Sequence, residues 1–117
     1  MKRFAAKLLF QFRVDVNGDP GKRRLCEERI VVLNARSAKS AMATAKRKGR
    51  ADEHNYLNCD GNRVYFELIG VMDLLELGVE CEADEVWYEL HYRNMPMERR
   101  EQLIPAEEKL INRYRTR

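Results

Sequence analysis

The side chains best suited to bind a metal ion or act as a nucleophile are three cysteines and two histidines: Cys26, Cys59, Cys81, His54 and His91. A structural zinc site needs four such ligands in two closely spaced pairs. His54 and Cys59 form the closest pair, and the sequence holds no second one. The spacing therefore predicts no metal ion and no cofactor, and it favours small, inert cysteines.

Catalysis by a thiol or by carboxylates would need further groups. A nucleophilic thiol requires a base within reach, which makes Cys59 near His54 the best candidate. The acidic neighbours of Cys81 disfavour its thiolate. An acidic cluster suits a solvated loop better than a divalent-cation site; its members are Glu80, Glu82, Asp84 and Glu85. No glycine-rich phosphate loop is present. No catalytic residue is predicted, and a small enzyme with an unrecognised pocket stays the third alternative.

Four basic residues fall in one sector of a helix predicted over residues 37–50: Lys39, Lys46, Arg47 and Arg50. Basic residues grouped on an exposed surface follow a phosphate backbone by displacing its counterions. The simpler interpretation is a solvated helix face whose last turn complements the helix dipole. Nucleic-acid binding through these four residues is therefore the alternative function.

Charge is distributed unevenly along the chain. Residues 1–50 hold 14 basic and 4 acidic residues, a net +10, whereas residues 51–92 hold 1 basic and 11 acidic residues, a net −10. The remaining residues carry +3, which is also the net charge of the whole chain. Either the first block forms a basic face for a polyanion, or the two blocks meet in one sheet and neutralise each other. The second interpretation is favoured.

A possible partner surface lies on the strand predicted over 85–92. Trp87, Glu89 and His91 alternate away from its other apolar residues and share one face. Aromatic side chains often centre protein interfaces, although a C-terminal helix covering Trp87 is the simpler expectation. A free sheet edge would also allow a homodimer or pairing with a partner's strand.

Hydrophobic patterning predicts an α+β fold with strands and helices in the order ββαβββ, followed by a helix. Strict alternation over residues 3–16 predicts a long strand, and Asn17–Gly21 forms a turn into a second strand at 24–35. Ser37 caps a helix over 37–48 that ends at Gly49. The remaining predicted elements are strands near 54–58, 63–71 and 85–92 and a helical tail restarting at Pro105, with 72–78 left open. The expected architecture is one antiparallel sheet of about five strands with one helix packed on it.

Length and composition place the chain in one broad class. Its 117 residues suit one domain, with a sheet-and-helix core at about 3–93 and a tail at about 95–115. A 44% hydrophobic and 35% charged composition indicates an ordered globular protein. No apolar run is long enough to span a membrane, and no signal-peptide core is present. Three widely spaced cysteines suit the cytoplasm.

Three segments together resemble a known family: AKLLF at 6–10, EERIVVL at 27–33 and FELIGVMDL at 66–74. The chain is similar over about residues 3–93 to the bacterial domain of unknown function 4288. That resemblance implies a bacterial cytoplasmic protein without an assigned activity, and it supplies no catalytic residues. The leading hypothesis is a non-enzymatic protein-interaction or regulatory module that binds an unknown protein partner or itself, with no membrane contact.

Overall fold

The computed structural model describes residues 1–79, 82, 84–86 and 89–115. Four antiparallel strands form one sheet in the order β2-β1-β4-β3. The strands are β1 (Lys2–Asp15), β2 (Leu25–Ala35), β3 (His54–Leu57) and β4 (Arg63–Glu76). The helices are α1 (Ala38–Ala51), α2 (Arg100–Leu103) and α3 (Glu107–Arg115). The α+β class and the single antiparallel sheet are confirmed.

The first hairpin follows directly from the sequence. Val16 and Asp19 exchange backbone hydrogen bonds of 3.2 and 3.0 Å, so the turn between them contains only Asn17 and Gly18. Both turn residues have positive φ, 53° and 80°, as a type I′ turn requires, and its twist matches that of the strands. β2 then pairs with β1 from Phe12–Leu25 to Lys2–Ala35.

The core lies between the sheet and α1. Alternate residues of β1 point toward α1, and the buried ones are Phe4, Ala6, Leu8 and Phe10. From α1, Ala41 and Ala45 are fully buried against them. Because alanines occupy the inner face of α1, its backbone lies close to the sheet, and charged residues remain on its outer face.

The start of α1 was predicted correctly, and its end was not. The Ser37 hydroxyl accepts the Ser40 backbone N–H at 3.2 Å, and the Ser40 hydroxyl accepts the Ser37 N–H at 3.1 Å. The helix continues past Gly49 to Ala51. Gly49 is buried, and a Cβ at this position would lie 2.8 Å from both methyl carbons of Leu68. This glycine therefore allows close approach to β4 and does not end the helix.

The Gly49–Leu68 contact predicts that the effect of Gly49→Ala on the free energy of unfolding changes sign when Leu68 is shortened to alanine. Gly49→Ala gains roughly 0.8–1 kcal/mol of helix propensity, but overpacking against Leu68 costs about 1–3 kcal/mol. We expect Gly49→Ala alone to lower the free energy of unfolding by about 1 kcal/mol. In a Leu68→Ala chain, the same change is expected to raise it by about 0.5–1 kcal/mol. Urea unfolding measures both values, and one sign in both chains would contradict the contact.

The predicted fifth strand is wrong. Glu85, Val86 and residues 89–92 are not strand, while residues 87–88 lie outside the described residues. The Glu89 carboxylate instead accepts a hydrogen bond of 2.8 Å from Lys7 Nζ. Since β1 lies between β2 and β4, a side chain that reaches Lys7 comes from over the face opposite α1 and not from a sheet edge. Glu89 therefore lies over this face, and the described residues of its segment do not join the sheet.

The structure also shows the conformation of the tail and of residues 72–78, for which the sequence left strand and helix as alternatives. β4 continues through Met72 to Glu76, so this stretch prolongs the strand. The tail is helical as predicted, with α2 and α3 on either side of Pro105. Among the described residues, neither α2 nor α3 packs against a strand or against α1. Among the helices and strands that the structure describes, the contacts that hold the fold together thus join α1 and the four strands.

Candidate nucleic-acid interface

The outer face of α1 brings the four predicted basic residues together. Lys39, Lys46, Arg47 and Arg50 line one shallow depression of about 490 Å³, with Met42 and Ala43 between them. We call these four cations the α1 basic face. Their grouping follows from helical periodicity, because Ala41, Ala45 and Gly49 occupy the buried side of the same helix.

The described acidic residues do not neutralise the α1 basic face. The sequence of α1 contains no Asp or Glu. Within the described part of the chain, none of the four cations lies within 4.0 Å of a carboxylate oxygen. Arg47 donates a neutral hydrogen bond from Nη2 to Thr44 Oγ1 at 3.1 Å. The cations therefore remain available to an external anion.

The basic residues of the sheet contrast with those of α1. Among the described residues, four ion pairs join the basic first block of the sequence to the acidic second block: Lys2–Glu76, Lys7–Glu89, Arg13–Glu67 and Arg29–Asp52. Their N–O distances run from 2.7 to 3.7 Å. Two of these pairs, Lys2–Glu76 and Arg13–Glu67, join β1 to β4, so opposite charges meet within the sheet as the favoured interpretation of the charge distribution expects. The other two join a strand residue to Glu89 or to Asp52, the residue that caps the end of α1.

The shifted pKa values belong to these structural pairs. Arg13 Nε and Nη2 donate to the two oxygens of Glu67 at 2.9 and 3.1 Å. This hydrogen bonding is the main reason that the pKa of Glu67 lies below its usual range, and Gln11 donates a further bond. The hydrogen bond to Glu89 likewise raises the pKa of Lys7. Both shifts stabilise the charged forms that hold the sheet, and neither produces a group ready for proton transfer.

The predicted partner surface is described only in part. Trp87 lies outside the described residues, so the proposal that the tail covers it stays a prediction. Glu89 Oε1 contacts Lys7, and Glu89 Oε2 lies 3.4 Å from His91 Nε2. Glu89 therefore takes part in the fold of its own chain, and His91 lies beside it.

The described candidates for metal binding and catalysis are not gathered into a site. Among the described residues, no group of three or more His, Cys, Asp or Glu side chains could hold a metal ion. His54 lines a depression of about 250 Å³ with Glu53 and Glu67, and Cys59 is not among its lining residues. Of the predicted acidic cluster, Glu82, Asp84 and Glu85 are exposed, while Glu80 and Cys81 lie outside the described residues.

Sequence reasoning missed an open apolar cavity of about 580 Å³ beyond the end of α1. Its floor includes Phe12, Val14, Leu25 and Val64. The cavity exists because a 14-residue helix is about 21 Å long, whereas a 14-residue strand extends to about 47 Å. The equal residue counts of α1 and β1 are the signal that predicts this uncovered end.

The part of the chain that forms α1 and the sheet matches a known protein family. A family model described as "Domain of unknown function (DUF4288)" matches residues 3–86. The chain belongs to the DUF4288 family. The match spans α1 and all four strands of the sheet, so the DUF4288 unit includes the α1 basic face, whereas α2 and α3 follow it. No curated protein and no solved structure matches the chain. None of the described helices is both long and apolar enough to cross a membrane.

Proposed function

We propose that this DUF4288 protein is a non-enzymatic domain that binds duplex nucleic acid through the α1 basic face. One observation carries the proposal: four cations share one exposed helix face on which no acidic residue of the described chain neutralises them. Each cation that contacts a phosphate releases a condensed counterion, and this release drives binding. A helix face that only contacts water would not need four cations grouped together without acidic neighbours.

The chemistry of the face favours a duplex over a single strand. Single-strand binding depends on aromatic side chains on which bases stack. α1 contains no aromatic residue, and Phe10 and Phe66 are buried beneath it. The small side chain of Ala43 lies among the long basic side chains, so the helix offers a charged, uneven surface suited to a phosphate backbone.

The proposed setting is the bacterial cytoplasm, which the family resemblance implies. Cys26 and Cys59 are free and exposed thiols, as a reducing compartment allows. We place the ligand on α1 and not on the segment of Glu89 and His91, because Glu89 already bonds to Lys7. Protein–protein contact remains part of the proposal as self-association through a surface other than α1.

A salt titration with a duplex of about 24 base pairs tests the proposal. Four phosphate contacts give a slope of about −3.6 in log K against log salt for each α1 that touches the duplex. Affinity should therefore fall about 100-fold between 50 and 200 mM salt where one α1 touches the duplex, and more steeply where two do. Fluorescence anisotropy measures this fall, and the same sequence as a single strand should bind more weakly. No binding at 50 mM salt, or an affinity independent of salt, would refute the proposal.

A further inference from the structure

The two edges of the sheet differ in how they are protected. At one edge, β3 has only four residues, and the Glu53 carboxylate accepts the Leu68 backbone N–H of β4 at 3.0 Å just beyond it. At the other edge, β2 extends over eleven residues without proline or glycine. No described strand pairs with its outer side. An uncapped edge of this length is a template for another strand.

Apolar side chains lie along this edge. Ile30 and Val32 are 41% and 40% exposed. Their register with Lys7 and Ala5 of β1 places both on the face opposite α1. Natural proteins protect edges of this kind with prolines, bulges or lysines that point outward. Charged side chains also protect edges, and β2 carries them only in its first half, at Glu27, Glu28 and Arg29. Its second half, residues 30–35, contains no charge, no proline and no bulge, so this half is open to another strand.

We propose that a second copy of this chain covers the edge, with the two β2 strands antiparallel across a twofold axis. Pairing over the full length of Leu25–Ala35 places its central residue, Ile30, opposite its own copy. In this register Glu28 faces Val32, and Arg29 faces Val31. This register places no like charges directly opposite one another. Such charges would destabilise the pairing.

Registers shifted toward the start of β2 bring like charges together, and a shift the other way, to an axis at Val31, shortens the pairing to residues 27–35. The full-length pairing therefore joins the most residues without opposing like charges. Centring the axis on Arg29 or on Glu28 would place each of these charges against its own copy. Such a closed, isologous contact is the commonest way that soluble chains associate. The product is one continuous sheet of eight strands, and a twofold axis perpendicular to it leaves both α1 helices on the same face.

The test compares two doubly substituted chains by light scattering coupled to size exclusion. Wild type is expected at about twice the 13.8 kDa of one chain. In Ile30→Glu/Val32→Glu, the new carboxylate at position 30 lies opposite Lys7 within its own chain, so the monomer tolerates it. Across the axis it would meet its own copy, and the carboxylate at position 32 would meet Glu28. This variant is expected to be a folded monomer, as circular dichroism would show.

The matched control is Ile69→Glu/Met72→Glu, which makes the same changes at two exposed residues of β4. It is expected to stay dimeric. The proposal is overturned if wild type is a monomer at 100 μM, if the β2 variant remains a dimer, or if the control dissociates as well. None of these measurements involves nucleic acid, so they fail or succeed independently of the function proposed for α1.

A cysteine at the axis tests the register. Ile30→Cys, in a chain whose Cys26, Cys59 and Cys81 are replaced by serine, places two thiols opposite each other. Cα atoms of directly opposed strand residues lie about 4.5–5.5 Å apart, within the range of a disulfide. Mild oxidation is expected to cross-link most of this variant as a dimer, and Ile69→Cys in the same background much less. An Ile30→Cys chain that does not cross-link would overturn the proposed register.

Discussion

Reversing the four charges of the α1 basic face should weaken duplex DNA binding by about 100-fold or more at 50 mM salt. The variant is Lys39→Glu, Lys46→Glu, Arg47→Glu and Arg50→Glu. Each substitution removes one phosphate contact and puts a carboxylate where a phosphate would lie, so both affinity and its salt dependence should be lost. Anisotropy against the same duplex at several salt concentrations measures both.

The control separates the position of the charges from their number. Lys22→Glu, Arg23→Glu, Arg100→Glu and Lys109→Glu change the net charge equally at exposed residues outside α1. This chain is expected to keep most of its affinity and a slope near the wild-type value. Equal losses in the two variants would show that net charge, and not the α1 basic face, attracts the duplex.

Folding of the reversal variant needs its own check. Carboxylates near the end of α1 oppose the helix dipole, at a cost of about 0.3–1 kcal/mol each. If thermal unfolding shows that the variant does not fold, glutamine at the same four positions replaces it, because glutamine forms helices well and is uncharged. Each single glutamine substitution should then reduce the salt slope by about 1. A slope that stays unchanged after four substitutions would contradict the assignment.

The α1 basic face could be predicted from the sequence because it depends on local geometry alone. A period of 3.6 residues fixes which side chains share a helix face, and Ser37 marks where the helix starts. The predicted end of α1 was wrong because a glycine is compatible with two roles. It ends a helix, or it allows another element to approach, and only the distance from Gly49 to Leu68 distinguishes them.

The prediction of a fifth strand was wrong for a different reason. Alternation of apolar residues over 85–92 indicates an extended segment, but strand pairing requires a free neighbour, which the local pattern does not contain. The contact between Glu89 and Lys7 joins residues 82 positions apart, so no local signal predicts that Glu89 lies over the sheet. The free edge of β2 also depends on the order of strands, which is settled only by the complete fold.

If both proposals hold, pairing through β2 should control DNA affinity as well as mass. α1 contacts β2, β1 and β4, so its centre lies near β1, about one and a half strand spacings from the proposed axis. With strands about 4.8 Å apart, the two helices would lie roughly 14 Å from each other on one face. Two basic faces at that distance would share one duplex and release twice as many counterions.

The β2 variant and its control are suited to this comparison because both carry two added carboxylates per chain. Ile69→Glu/Met72→Glu should keep the dimer and a salt slope of about −7, whereas Ile30→Glu/Val32→Glu should show about −3.6. The monomeric variant should also bind about 10–100-fold more weakly, since the second helix no longer benefits from the attachment of the first. Equal slopes in a dimeric control and a monomeric variant would mean that only one α1 of each dimer touches the duplex. In that case the edge would join two chains without joining their binding faces.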